Sequence, residues 1–179
     1  MPSLRKASAY SLKKVVPFTR VSKKKQKAYI KTIPPQKIVK FVMGNQQIFN
    51  AGKFNYHLTL VSEENVQIRH NALEACRQFL NKKLDKLLAG QYFFRVIPFP
   101  HHIQRENKML IGAGADRMQT GMQLSFGKSV GKAAILKENS PIFFIAVGSQ
   151  KAVQISRESL KQIKAKLPGR TKITYEEVK

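Results

Sequence analysis

The chain has 179 residues, of which 42% are hydrophobic, so it can form one domain with its own core and is not wholly disordered. Its 33 Lys and Arg outnumber 10 Asp and Glu, and a net charge of +23 opposes compaction unless a polyanion neutralises it. Nucleic acid is the expected polyanion, because bound phosphates release counterions. Apolar runs such as residues 142–147 are too short to span a bilayer, and no secretory signal is recognised. The single cysteine, Cys76, fits a reducing compartment.

The positive charge is concentrated towards the N-terminus. The first 62 residues contain 13 Lys and Arg and no acid, and the first carboxylate is Glu63. No helical or strand period organises residues 1–33, so we interpret them as an extended basic arm that becomes ordered on RNA. The alternative is a solvated disordered tail, but interleaved aromatic rings and the absence of acid favour the arm. Its densest cluster, predicted to bind RNA, is Lys23, Lys24 and Lys25.

Residues 34–179 are predicted to form one globular domain. Residues 38–42 and 54–61 have the composition and alternation of strands. Ser62 is placed to cap a helix that runs to about Ala89 and stops at Gly90. Spacing of 3.6 residues puts the apolar set on one side of this helix and a polar set on the adjoining side. The apolar set is Leu73, Cys76, Leu80, Leu84 and Leu87, and the polar set is His70, Arg77 and Asn81.

The second half of the domain contains more strands and one more helix. Four apolar segments are predicted to be strands: residues 91–98, 133–136, 141–147 and 172–175. Ser156 is predicted to cap a helix that ends before Pro168 and turns Leu160, Ile163 and Leu167 inward. Strands and two helices without regular βαβ alternation favour an α+β fold. We therefore expect a two-layer α/β sandwich with a mainly antiparallel sheet and two helices.

Residues 101–132 contain two near-matches to nucleotide-binding motifs, and both fail. The run that begins at Gly112 starts like a dinucleotide fingerprint, but Arg117 stands where glycine or alanine is needed. Residues 127–129 resemble the end of a phosphate-binding P-loop, but Met122 replaces the required earlier glycine. The sequence therefore predicts no nucleotide cofactor.

His101 and His102 are the candidates for acid–base or metal chemistry, and Glu106 is the only nearby acid. Adjacent strand residues point to opposite faces, so we expect one histidine to pack inward and the other to face RNA. Cys76 is expected in the core, whereas a Cys–His nucleophile needs an exposed, activated thiol. An RNA-modifying enzyme that uses these histidines and Glu106 is the alternative to a binding role. No metal site is predicted.

A glycine-rich stretch at about residues 108–128 has little capacity to form a core. Glycines let a backbone approach nucleic acid closely, because no side chain stands in the way. An ordinary mobile loop is the alternative, although a long loop without structure is uncommon unless it is functional or disordered. The basic residues predicted to bind RNA in and beside this stretch are Arg105, Lys108, Arg117, Lys128 and Lys132.

The same stretch resembles a known family. Residues 101–109 (HHIQRENKM), 112–122 (GAGADRMQTGM) and 126–128 (FGK) are similar to the central motif of universal large-subunit ribosomal protein sixteen, the ten-e family of archaea and eukaryotes. Residues 67–75 (QIRHNALEA) resemble the family's first long helix. The resemblance also includes residues 37–45, in the archaeal style, and residues 166–170, and it covers roughly residues 34–175.

The resemblance implies an α/β sandwich lodged in rRNA near the base of the central protuberance, in the cytoplasm, with no catalytic residues and no cofactor. Its implied partners are large-subunit rRNA, tRNA acceptor arms and neighbouring ribosomal proteins; no membrane contact and no homo-oligomer are expected. On the long helix, Arg69, His70 and Arg77 are expected to bind RNA. The implied tRNA-facing loop contains Gly112, Gly114, Asp116, Arg117, Gln119, Thr120 and Gly121.

The N-terminal segment of this chain differs from the family pattern. Residues 1–33 contain a lysine cluster and lead into Ile33-Pro34-Pro35, where the family has an arginine- and aromatic-rich arm that ends in Gly-Val-Pro. A non-ribosomal RNA chaperone is a further alternative. Retention on large subunits through a salt wash distinguishes a subunit component from a chaperone or an enzyme.

Overall fold

The protein is described here from a computed structural model, which defines Ile30 and residues 32–106 and 128–178. These residues form an α+β sandwich with antiparallel sheets, as the sequence predicted. The strands are β1 (Val42–Gly44), β2 (Tyr56–Ser62), β3 (Val66–Arg69), β4 (Tyr92–Val96), β5 (His102–Glu106), β6 (Lys128–Leu136), β7 (Pro141–Val147) and β8 (Thr171–Glu177). The helices are α1 (Gln46–Asn50), α2 (His70–Leu88) and α3 (Gln150–Ile163), with a 3₁₀ turn at Lys164–Lys166.

Five strands form the larger sheet, in the order β1-β4-β7-β2-β8, and every pairing in it is antiparallel. The central strand β7 is the most apolar, and its bounds coincide with the predicted segment. The strand predicted at residues 38–42 is wrong in its bounds, since only residues 42–44 pair, as an edge strand beside β4. The predicted final strand is real but longer, because β8 pairs with β2 along its whole length.

The remaining strands form a second sheet, in the order β3-β6-β5, so the expectation of one sheet is wrong. Strand β5 was not among the strands predicted from the sequence, and β6 begins at Lys128, five residues before the predicted strand. Both are strands because they pair with each other, with Glu106 opposite Lys128, and this pairing joins segments on either side of the glycine-rich stretch.

The long helix α2 begins at His70, so the prediction that Ser62 caps it is wrong. Ser62 is the last residue of β2, and its hydroxyl donates a hydrogen bond to the Glu64 carbonyl. The predicted stop is confirmed, because Ala89 and Gly90 both adopt positive φ. Leu87 is 48% exposed, contrary to expectation. The other predicted inward residues are fully buried: Leu73, Cys76, Leu80 and Leu84.

Helix α3 packs beside α2 and against β2 and β7 of the larger sheet. Its N-cap is Ser149, whose hydroxyl accepts a hydrogen bond from the Ala152 amide, and not Ser156, which is buried within the helix. The predicted inward residues Leu160, Ile163 and Leu167 are all buried. The main core therefore lies between the two long helices and both sheets.

Candidate nucleic-acid interface

Helix α2 follows directly after β3, and no side chain caps its N-terminus. Arg69 is the N-cap residue in extended conformation, its side chain makes no cap hydrogen bond, and no acid lies in the first turn. Arginine has no acceptor with which to cap backbone N–H groups. A helix start of this kind is electropositive through its dipole and its free N–H groups, and it favours an anion.

His70 is the first residue of α2 and is only 2% exposed. Burial and, to a smaller extent, the nearby positive charges of Lys37, Arg69 and Lys132 together lower its pKa to about 4. The imidazole is therefore neutral at physiological pH. Its Nδ1 has no hydrogen-bond partner among the described residues. Three cations thus converge on a buried, uncharged ring at the helix start.

Gly131 of β6 lies directly against this ring. A Cβ at position 131 would lie 3.3 Å from Nε2 of His70 and 3.7 Å from a guanidinium nitrogen of Arg69. The glycine therefore lets β6 pass close to the start of α2. Lys132, the next residue along β6, is close enough for its positive charge to lower the pKa of His70.

The second sheet extends this cationic surface towards its open end. Lys128 is exposed, Lys132 and Arg105 are half-buried, and the strand register places Lys128 and Arg105 near the end where residues 107–127 leave the sheet. Glu106 is the only acid in β5 and β6. Cations here thus outnumber acids, as phosphate binding requires.

Polar residues that the sequence analysis did not single out lie on the same sheet. The Gln104 amide donates a 3.3 Å hydrogen bond to the Gln67 side-chain oxygen, and both residues are 4% exposed. The Gln104 side-chain oxygen has no partner among the described residues. Lys37 was also missed, because it lies 33 positions before His70 in a segment without regular structure. The sequence did contain a pattern that indicates strand β3, because the polar Gln67 lies between the apolar residues Val66 and Ile68.

Arg77 was predicted to bind RNA, but its guanidinium is occupied within the protein. It donates two hydrogen bonds to Glu74, of 2.7 and 2.6 Å, and a third to the Met43 sulfur at 3.3 Å. This pairing lowers the pKa of the Glu74 carboxyl. Its side chain is 12% exposed, so RNA contact by Arg77 stays a prediction that the pairing does not favour.

Several predicted contacts lie outside the described residues. In the arm these are Lys23, Lys24 and Lys25. In the glycine-rich stretch they are Lys108 and the loop residues Gly112, Gly114, Asp116, Arg117, Gln119, Thr120 and Gly121.

The residues weighed for catalysis lie in different environments. Cys76 is fully buried, and burial raises the pKa of its thiol to about 12, so it is not an activated nucleophile. His101 is exposed beside the Phe99 ring, whereas His102 begins β5 and burial lowers its pKa. Within the described ranges, no three His, Cys, Asp or Glu side chains cluster to hold a metal ion. No helix there is long and apolar enough to cross a membrane.

The fold and the surface together define a class: basic α+β proteins in which an acid-poor sheet and an uncapped helix start form one cationic face. Residues 17–174 match the family described as ribosomal protein L16p/L10e, and the chain belongs to this family. This confirms the resemblance, and with it the prediction that the chain is not an enzyme.

Individual relatives are archaeal proteins named large ribosomal subunit protein uL16. One from Sulfolobus acidocaldarius is 45% identical over 150 residues, which is 83% of each chain. Another from Staphylothermus marinus is 40% identical over 177 residues, covering 98% of this chain and 95% of its own. A third, from Saccharolobus islandicus, is 41% identical over 150 residues, covering 83% and 82%.

Proposed function

We propose that this protein is a structural component of the large ribosomal subunit, in the cytoplasm, where its cationic face binds rRNA. The observation that carries the proposal is the convergence of Lys37, Arg69 and Lys132 around the uncapped start of α2. Family membership and the relatives' names support the assembly. Phosphate oxygens satisfy both the free N–H groups and the surrounding cations, so the RNA backbone fits this surface.

A salt titration of rRNA binding tests the proposal. Lys128→Gln and Lys132→Gln each remove one cation from the cationic face, so each should lower the log–log salt slope by about 0.7–0.9. Lys137→Gln is a matched control, because Lys137 follows β6 at its opposite end, beside Glu138. The control should leave the slope unchanged. Equal slopes for all three variants and the parent would contradict binding through this face.

We also propose that residues 112–122 assist tRNA binding near the peptidyl-transferase centre. The supporting geometry is that the antiparallel neighbours β5 and β6 flank residues 107–127, with Glu106 opposite Lys128. The residues that precede and follow the segment, Glu106 and Lys128, thus lie next to each other at the cationic end of the second sheet. The role itself comes from the family resemblance.

Replacement of residues 112–122 by a short Gly-Ser linker tests incorporation into the large subunit and tRNA binding separately. Since β5 and β6 pair outside this segment, incorporation into large subunits should be nearly unchanged. Peptide synthesis and tRNA affinity of the same subunits should fall. Full occupancy together with normal synthesis and normal tRNA affinity would exclude the role.

A further inference from the structure

The end of β4 and the segment between β4 and β5 present a row of side chains to solvent. From Arg95 to His101, exposed and buried residues alternate, so that Arg95, Ile97, Phe99 and His101 face outward. Phe99 is 45% exposed and Ile97 is 38% exposed. Apolar side chains that are exposed next to one another, and not singly, can mark a binding surface.

Two buried prolines hold this row in place. Pro98 and Pro100 flank Phe99 and point inward, where they anchor the segment. Each proline fixes its own φ, and each restricts the residue before it to extended conformations. Ile97 and Phe99 are therefore held extended at little further entropic cost, so the Phe99 ring is displayed in a defined direction before any partner binds.

Phe99 is the central member of a three-ring cluster. Its ring stacks on Phe41, with centroids 5.5 Å apart and planes at 20°, and contacts His101 at 4.5 Å. Phe41 is fixed in turn, because its carbonyl accepts a 2.8 Å hydrogen bond from the Val96 amide. Surface rings stacked in this way form a platform of the kind on which unpaired nucleobases stack.

The charge around the rings favours RNA over a protein partner. Residues 32–62 and 91–105, which supply the three rings, contain no acid. The same segments contain Lys37, Lys40, Arg95 and Arg105. An aromatic platform on segments that carry cations and no acid can attract the backbone of a single strand while the base stacks, which is the arrangement used for unpaired RNA.

Building on the proposed rRNA-binding function, we propose that Phe99, supported by Phe41 and His101, stacks an unpaired nucleobase of rRNA. This base site is distinct from the proposed phosphate site at the start of α2, because it contacts the π-face of a nucleobase and not the charged RNA backbone. Binding of the full chain to isolated large-subunit rRNA tests it. The variants are Phe99→Leu, which removes the ring but keeps apolar volume, and Phe99→Tyr, which restores a ring.

Tyr175→Leu is the matched control, because Tyr175 is 41% exposed and stacks on Tyr56 on the last two strands of the larger sheet. Phe99→Leu should weaken rRNA binding roughly tenfold, within the range measured for one stacked base. The salt slope should not change, because no charge is removed. Phe99→Tyr should bind like the parent, and Tyr175→Leu should have no effect. Ultraviolet crosslinking should attach a nucleotide within residues 97–101.

The outcomes separate this inference from the proposed function. If the parent protein does not bind the rRNA, the proposed function fails. If the parent binds, while Phe99→Leu binds equally well and no crosslink maps to residues 97–101, the base site is refuted and the function stands. A crosslink from residues 97–101 to a protein of the subunit, with rRNA affinity unchanged, also refutes it. Urea unfolding of Phe99→Leu should match the parent, which confirms that the fold is intact.

Discussion

The neutrality of His70 predicts how the stability of the free protein depends on pH. The unfolded imidazole has a pKa of 6.5, whereas burial and three nearby cations lower the folded pKa to about 4. Between these values the unfolded chain binds more protons, so the free energy of unfolding decreases as the pH falls. The contribution of His70 is complete above pH 6.5 and is lost progressively towards pH 4.

The size of the effect follows from the shift. At about 1.4 kcal/mol per pKa unit, a change from pH 8 to pH 5 should cost at most about 2 kcal/mol through His70. His102 contributes in the same direction, because burial also lowers its pKa. Exposed His101 makes His101→Gln a suitable control. Substitution of His70 by glutamine should therefore flatten the pH dependence, whereas the control should preserve it.

Urea unfolding followed by circular dichroism at pH 8, 6.5 and 5 measures these differences. Nuclear magnetic resonance titration of the His70 ring measures its pKa directly, with a value of about 4 expected. A His70 pKa near 6.5, or a His70→Gln variant with the parent's pH dependence, would refute the reasoning. Either result would mean that the ring is hydrated and that the cations do not converge on it.

Three further outcomes are expected. Cys76→Ser should destabilise the fold by roughly 1–3 kcal/mol in urea unfolding, since it buries a hydroxyl in an apolar site, with rRNA affinity of the folded fraction unchanged. Gly44→Ala should cost roughly 2–4 kcal/mol by the same measurement, because φ is +83° and a Cβ would collide with the Tyr92 carbonyl. Deletion of residues 1–33 should flatten the salt dependence of rRNA binding, because about ten cations leave; an unchanged slope would place the arm away from RNA.

The parts of the fold that the sequence predicted well depend on local patterns. The apolar run at residues 141–147 predicted β7 with its bounds, and Gly90 marked the end of α2. The missed parts depend on distant partners. Ser62 and the two following glutamates have the pattern of a helix start, yet residues 66–69 form a strand because they pair with residues 133–136.

The candidate site was predicted only as far as residue type and charge allow. Arg69, Arg105, Lys128 and Lys132, which the sequence analysis singled out, lie on the three strands of the second sheet. The contribution of Lys37 depends on a crossing of distant segments, which periodicity does not encode. Likewise, an arginine on a helix can pair with any of several nearby acids. The sequence alone does not show that Arg77 pairs with Glu74, because tertiary packing selects this partner.

The strand order of the larger sheet also determines when the protein can fold during its own synthesis. Leu58 of β2 pairs with Ile145 of β7 and Tyr175 of β8, both encoded far downstream. At typical elongation rates, the roughly 90 residues between Leu58 and Ile145 take about 4–17 s to translate. During that interval the apolar strand β2 has neither of its pairing strands, and it belongs to a strongly basic nascent chain. The final edge closes only when residues 171–177 emerge, so a chain stalled before them would leave β2 with one side open to aggregation.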